Sequence, residues 1–157
     1  TYSGLYDCNG AMVVPGAGGK SCEYGCMGYG SCVKACEFDS IHIVDGIALV
    51  DKEKCVACGK CVTACPKKLI DMVPYKAKTL VQCNSQDKGK TVKDKCSVGC
   101  IGCTMCVKQC QDDAIHMVGN VALVDYSKCI ECGRCAMKCP TKVIISDKLV
   151  TVEQEIA

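Results

Sequence analysis

Cys55, Cys58, Cys61 and Cys65, followed by Pro66, form the pattern C-x2-C-x2-C-x3-C-P, and Cys129, Cys132, Cys135 and Cys139 with Pro140 form it again. Soft thiolates in such number, beside only two His, select iron–sulfur chemistry over other metals. At this spacing one tight loop grips a cubane cluster with three thiolates, while the fourth turns away to a neighbouring cluster. The chemistry on offer is one-electron transfer.

A second Cys run precedes each of these, and crossed ligation then defines four sites. In the later half, Cys100, Cys103, Cys106 and Cys139 hold one 4Fe-4S cluster, and Cys110, Cys129, Cys132 and Cys135 the other. In the earlier half, Cys36, Cys55, Cys58 and Cys61 make one site. The remaining site lacks a middle Cys, because Tyr29 stands where Cys103 stands in the later half. Two readings stay open there. Either Cys22 joins Cys26, Cys32 and Cys65, which is the favoured set, or three thiolates hold a 3Fe-4S cluster. Cys8, Cys83 and Cys96 are surplus, readable either as small buried hydrophobes or as ligands of a further or shared cluster.

The elements that must position these loops come from a duplication. At an offset of 74, all eight Cys from Cys22 to Cys65 meet the Cys from Cys96 to Cys139, and 25 of the 50 positions from Cys22 to Asp71 are identical. Cys8 and Cys83 pair at an offset of 75. Each copy predicts a hairpin, Ile41–Val44 with Ile47–Val50 across Asp45-Gly46, and its counterpart across Gly119-Asn120, both turn residues being left-handed. Short helical turns are expected around Gly59–Cys65 and Gly133–Cys139, ending before Pro66 and Pro140. Residues 66–82 read as the connection and the first strand of the second copy. The fold class is α+β: two tandem bacterial-type dicluster ferredoxin modules, residues 1–74 and 75–157.

Composition narrows the alternatives. Nineteen Cys among 157 residues, one Phe and no Trp describe a core that side chains alone fill poorly. A disulfide scaffold calls for an oxidising compartment and typically an even Cys count and a secretory signal. Zinc takes four ligands from two Cys pairs, whereas Cys recurs here in runs of four. The formal charge of +2 becomes about −6 once four clusters each add about −2. Lys34, Lys54, Lys108 and Lys128 beside the runs then read as local counter-charges. Basic residues are scattered among acids, which speaks against nucleic acid, and no apolar run approaches the ~20 residues of a membrane span.

Three further features have bland readings. The stretch PGAGGKS, residues 15–21, lacks the first Gly of a phosphate-binding loop, Val14 standing there. His42 and His116 read as strand residues, and Glu37 and Gln111 stand where ferredoxins usually carry Pro. No dinucleotide fingerprint and no base–nucleophile set is present, so no catalytic site is expected in this chain.

The strings CEYGCMGYGSCVKACEFDSIHI, CGKCVTACPKKLI and CNSQDKGKTVKDKCSVGCIGCTMCVKQC resemble the ferredoxin-like part of the B subunit of Rnf, the ion-translocating ferredoxin:NAD oxidoreductase. The Cys-rich lead-ins carry the resemblance, since the C-x2-C-x2-C-x3-C runs are common to all ferredoxins. It implies a membrane-associated subunit on the cytoplasmic face of the cell membrane. Such a subunit takes electrons from reduced ferredoxin and passes them to the other subunits of the complex, while Na+ or H+ is driven across. It also implies an N-terminal membrane anchor and a further cluster segment ahead of this region, in keeping with a start, TYSGLYDC, that has no Met. The rivals are a free-standing polyferredoxin, the electron-input subunit of another oxidoreductase, and a structural zinc protein.

Overall fold

The computed structural model describes residues 6–13 and 19–147, so PGAGGKS lies partly outside it. The chain forms two compact units, Thr1–Met72 and Val73–Ala157. No described helix is long and apolar enough to cross a membrane.

In the first unit, α1 (Cys8–Met12) starts at Asp7, whose carboxylate accepts from the Gly10 N–H at 3.0 Å. Helix α2 (Ser31–Ala35) leads through Cys36 into the antiparallel hairpin of β1 (Ile41–Val44) and β2 (Ile47–Val50), with Ile41 opposite Val50. Helix α3 (Lys60–Ala64) then packs on α2. Ile41 is the buried anchor of the hairpin, while Ile43, Val44, Ile47, Leu49 and Val50 are exposed.

The second unit adds a two-stranded sheet in which β3 (Leu80–Val81) runs antiparallel to β6 (Ile144–Ile145). This places the first strand where residues 66–82 predict it. Between them come α4 (Gly89–Lys95), α5 (Met105–Gln109), the hairpin of β4 (Ile115–Val118) and β5 (Val121–Val124), and α6 (Arg134–Met137). Helices α5 and α6 and both hairpin strands stand 74 residues after α2, α3, β1 and β2, as the duplication requires.

The repeat extends to backbone conformation. Left-handed φ recurs at Asp39 and Asp113, Ala57 and Glu131, Lys68 and Lys142. The hairpin turns differ from expectation in one respect. Asp45 and Gly46 are both left-handed (φ 48° and 76°), but in the second copy only Gly119 is (φ 61°), and Asn120 is not. The second turn is therefore of the type that needs Gly at its first central position alone.

The core of the second unit is partly sulfur. Cys100, Cys106 and Cys135 are buried with Ile115, Val121, Ala122, Val124, Ala136, Val143 and Ile144, and Cys83, Cys110, Cys129 and Cys139 pack against them.

Candidate iron–sulfur sites

The four helices of the Cys runs each begin where a left-handed residue turns the chain: Gly30 before α2, Thr104 before α5, Gly59 before α3 and Gly133 before α6. With Ala57 and Glu131 also left-handed, the loops Cys55–Cys61 and Cys129–Cys135 alternate backbone handedness. Such alternation curls successive N–H groups toward one concave side and makes an anion-binding nest. Ala and Glu adopt this conformation at a cost of roughly 1–2 kcal/mol each, a strain characteristic of functional loops.

The second unit gathers its thiols around two hollows. One is walled by Cys100, Cys103, Cys106 and Cys139, with Met117, Val143 and Ile144 completing an apolar lining. The other is walled by Cys110, Cys129, Cys132 and Cys135, together with Ile115, Ile130 and Thr79. Both hollows are partly open, and with the solvent at their mouths they span about 330 and 310 Å³ of space not filled by protein. These are the two quartets that crossed ligation assigns, Cys139 reaching back to the earlier run and Cys110 forward to the later one. Among the described residues, no three His, Cys, Asp or Glu side chains gather closely enough for a single metal ion. Four thiolates around one zinc would bring sulfurs to about 3.8 Å, whereas the ligands of a cube each bind a different iron and stand wider apart.

The residues fit a cluster in a second way. Thr79 is buried and its Oγ1 has no hydrogen-bond partner among the described residues, yet the residue lines the hollow of Cys110, Cys129, Cys132 and Cys135. A bound cluster's sulfur would satisfy that hydroxyl.

Electrostatics agree with thiols crowded in an apolar setting. Burial, reinforced by Cys132, Cys129 and Cys106, pushes the Cys135 thiol up to about 11. Burial likewise raises Cys106, with Cys100 and Cys103 adding to it, and raises Cys129, with Glu131, Cys110 and Cys132 adding. For Cys139 burial acts upward but is outweighed by the Ile144 N–H, the Thr141 hydroxyl and further backbone N–H groups, so its thiol is lowered. The Cys110 sulfur accepts from the Ala114 N–H at 3.3 Å.

In the first unit the same helices carry the same thiols. Cys32 is buried on α2, and Cys61 is half-buried on α3, raised by burial with Cys55 and Cys58 as charged neighbours. Cys36 lies 3.1 Å from the Ser40 hydroxyl, which lowers it, and Cys65 accepts from the Leu69 N–H at 3.4 Å. Burial raises Cys32 too, and Cys26 and Cys8 add to it. Cys22 sits beside Gly25, as Cys96 sits beside Gly99 in the second copy.

The remaining candidates resolve locally. Cys83 accepts from the Ser85 N–H at 3.4 Å and packs against the core. His42 and His116 are exposed strand residues turned toward Asp39 and Asp113, each 3.8 Å away. Lys54 and Lys128 pair with the same two carboxylates, so their charge is engaged there. Glu37 forms an ion pair with Lys60 at the start of α3, a link that Pro at that position would not make. The place of Thr79 and the Asp7–Ser31–Cys8 contacts have no signal in the sequence, because only the pairing of distant segments creates them.

Known proteins carry the same pattern. The 4Fe-4S binding domain family matches residues 48–71 and 122–145. The chain is 48% identical over 93% of its length to the B subunit of the Na(+)-translocating ferredoxin:NAD(+) oxidoreductase complex of Acetobacterium woodii, covering 44% of that protein. It is 42% identical over 91% to the B subunit of the ion-translocating oxidoreductase complex of Methanosarcina acetivorans, covering 54%. To the B subunit of the proton-translocating ferredoxin:NAD(+) oxidoreductase complex of Clostridium ljungdahlii it is 44% identical over 91%, covering 51%. The chain thus spans about half the length of these relatives.

Proposed function

From the premise that this is an electron-transfer iron–sulfur chain matching the ferredoxin-like region of Rnf-type B subunits over nearly its whole length, we propose that it relays electrons from reduced ferredoxin through four 4Fe-4S clusters to partner subunits of an ion-translocating complex. Its place would be the cytoplasmic face of the cell membrane. The two units would each be a dicluster ferredoxin module, divided near residue 74.

The observation that carries this reading is the pair of hollows in the second unit, each walled by four thiols drawn crosswise from two Cys runs. Cys100, Cys103, Cys106 and Cys139 would hold one cluster and Cys110, Cys129, Cys132 and Cys135 the other. By the repeat, Cys36, Cys55, Cys58 and Cys61 would hold a third, and Cys26, Cys32 and Cys65 would supply three ligands of the fourth. For its last ligand the sequence favours Cys22.

The clusters, when bound, supply the one-electron chemistry. The protein's own part is placement and tuning. Cys106 and Cys135 belong to different hollows yet share one buried cluster of side chains, so the two sites of this unit would be near neighbours. Apolar side chains line much of both hollows, and loop N–H groups with the Thr79 hydroxyl would favour the more negative, reduced state.

Iron and acid-labile sulfide counted on anaerobically purified protein, with EPR of the reduced form, test the reading. About sixteen irons and magnetically interacting clusters are expected. An iron-free chain carrying zinc would overturn it. Reduction of the bound clusters by reduced ferredoxin, followed by absorbance, tests the donor.

A further inference from the structure

We propose that Cys8, and not Cys22, is the fourth thiolate of the first cluster, completing Cys26, Cys32 and Cys65 where the first copy has Tyr29 and the second has Cys103. This rests on the cluster-binding reading above and concerns one site within it.

The structural difference between the copies lies where the ligand is missing. In the second copy Cys103 is an exposed loop thiol on the wall of its hollow. In the first, the Tyr29 ring packs edge-on against Tyr6, centroids 5.5 Å apart at 84°, and so leans on the segment that carries Cys8. Cys8 is only 9% exposed and lies in one apolar cluster with Ala11, Met27 and Tyr29. Met27 and Tyr29 belong to the loop that runs from Cys26 to Cys32.

Two contacts hold Cys8 there, and neither exists in the second copy. The Cys8 N–H donates to the Ser31 hydroxyl at 3.2 Å, and that hydroxyl donates to the Asp7 carboxylate at 3.0 Å. Ser31 immediately precedes Cys32. At the corresponding places the second copy has Met105 and Gln82, which cannot build this clamp. The first copy, which has no thiol at position 29, thus has a clamp that fixes Cys8 to the residue preceding Cys32.

The charged neighbours agree. Cys100 and Cys103 act on Cys106, and Cys26 and Cys8 act on its counterpart Cys32. Cys8 thus occupies, among the neighbours of Cys32, the role of the absent Cys. Cys22 instead stands against Gly25 as Cys96 stands against Gly99. Since the second quartet is complete without Cys96, the matching position of Cys22 gives it no claim on the first.

The test compares Cys8→Ala, Cys22→Ala and the double variant Cys8→Ala/Tyr29→Cys in the full chain, reconstituted anaerobically with iron and sulfide. Metal analysis and EPR of the oxidised protein are the readouts. Cys8→Ala is expected to fall from about sixteen irons to about fifteen and to show a three-iron signal. Cys22→Ala should keep the full count, and Tyr29→Cys should restore the lost iron to the Cys8→Ala chain, which also separates ligand loss from misfolding. A full iron count in Cys8→Ala, or iron loss in Cys22→Ala instead, overturns the assignment. A wild-type chain that takes up no iron removes the electron-relay reading itself, and this assignment with it.

Discussion

The backbone N–H of Thr79 donates to a carboxylate oxygen of Glu131 at 2.8 Å, tying the segment ahead of β3 to the strained loop that carries Cys129 and Cys132. Tyr126 adds a second tie by donating its hydroxyl to the Thr79 carbonyl at 3.2 Å. Thr79 is thereby fixed at the wall of a hollow, its own hydroxyl without a partner among the described residues. Thr79→Val keeps the shape and deletes the donor. The reduction potential of that cluster should move negative by some tens of mV, on the order expected when one hydrogen bond to a charged acceptor is lost. Thr79→Ser should stay near wild type. An EPR-monitored redox titration reads both.

Asp7 joins α1 to α2 through Gly10 and Ser31, and these contacts, the Gly10 N–H first, hold its carboxyl below the ordinary value of 3.8. A depressed carboxyl stabilises the fold above its ordinary value, and this is lost as pH falls through the lowered one. Asp7→Ala should therefore loosen α1 at neutral pH and make little difference in strong acid. Amide exchange at Gly10 and Ala11 should rise several-fold at neutral pH.

Cys135 is pushed up to about 11, chiefly by burial, so its thiol is protonated at about pH 7–8 and must release that proton to bind iron. Cluster loading should weaken as pH falls from about 9 to about 7, with net proton release on uptake. In the metal-free chain the sign reverses: the raised thiol favours the fold below its ordinary value of 9.0, and that contribution disappears as pH rises toward 11. Absorbance-monitored reconstitution across this range, in weak buffer with a pH indicator, checks the loading and the released protons.

Gly28 and Gly59 both have left-handed φ, but a Cβ on Gly28 would stand 2.4 Å from the Gly46 carbonyl oxygen, whereas one on Gly59 meets nothing within 4 Å. Gly59→Ala should cost about 1–2 kcal/mol, the price of its backbone conformation. Gly28→Ala should cost clearly more, because the loop must also part from the hairpin turn. Thermal midpoints of the two reconstituted variants give the comparison.

Ile144 is 1% exposed, sits on β6 and lines the hollow of Cys100, Cys103, Cys106 and Cys139. Ile144→Ala should cost about 2–5 kcal/mol and open that hollow to water. A lower denaturation midpoint and faster iron loss to a chelator are the expected results.

Much of this is legible in the residues because the signals are local or periodic. The 74-residue offset places α2 against α5 and the two hairpins in matching positions, and Asp-Gly and Gly-Asn mark both turns. What the residues do not announce is pairing across distance. The β3–β6 sheet joins two-residue strands from opposite ends of the second unit, too short to carry a period. The turn at Gly119 uses one left-handed residue rather than two, a difference that tertiary contact between Gln86 and Asn120 at 3.1 Å accompanies. Thr79 beside Glu131 and Cys8 beside Ser31 have no motif, since each is a single side chain meeting a partner the fold alone supplies.

In the second unit, three of the ten residues forming the buried cluster are cysteines. Most proteins keep the atoms that hold them together chemically inert and confine reactivity to a pocket. Here oxidation of Cys100, Cys106 or Cys135 to a sulfinic acid would plant a charge among Ile115, Val124 and Ile144. Oxygen would then act on this molecule as a denaturant as well as a poison, and its lifetime in air would be set by the same atoms that set its stability.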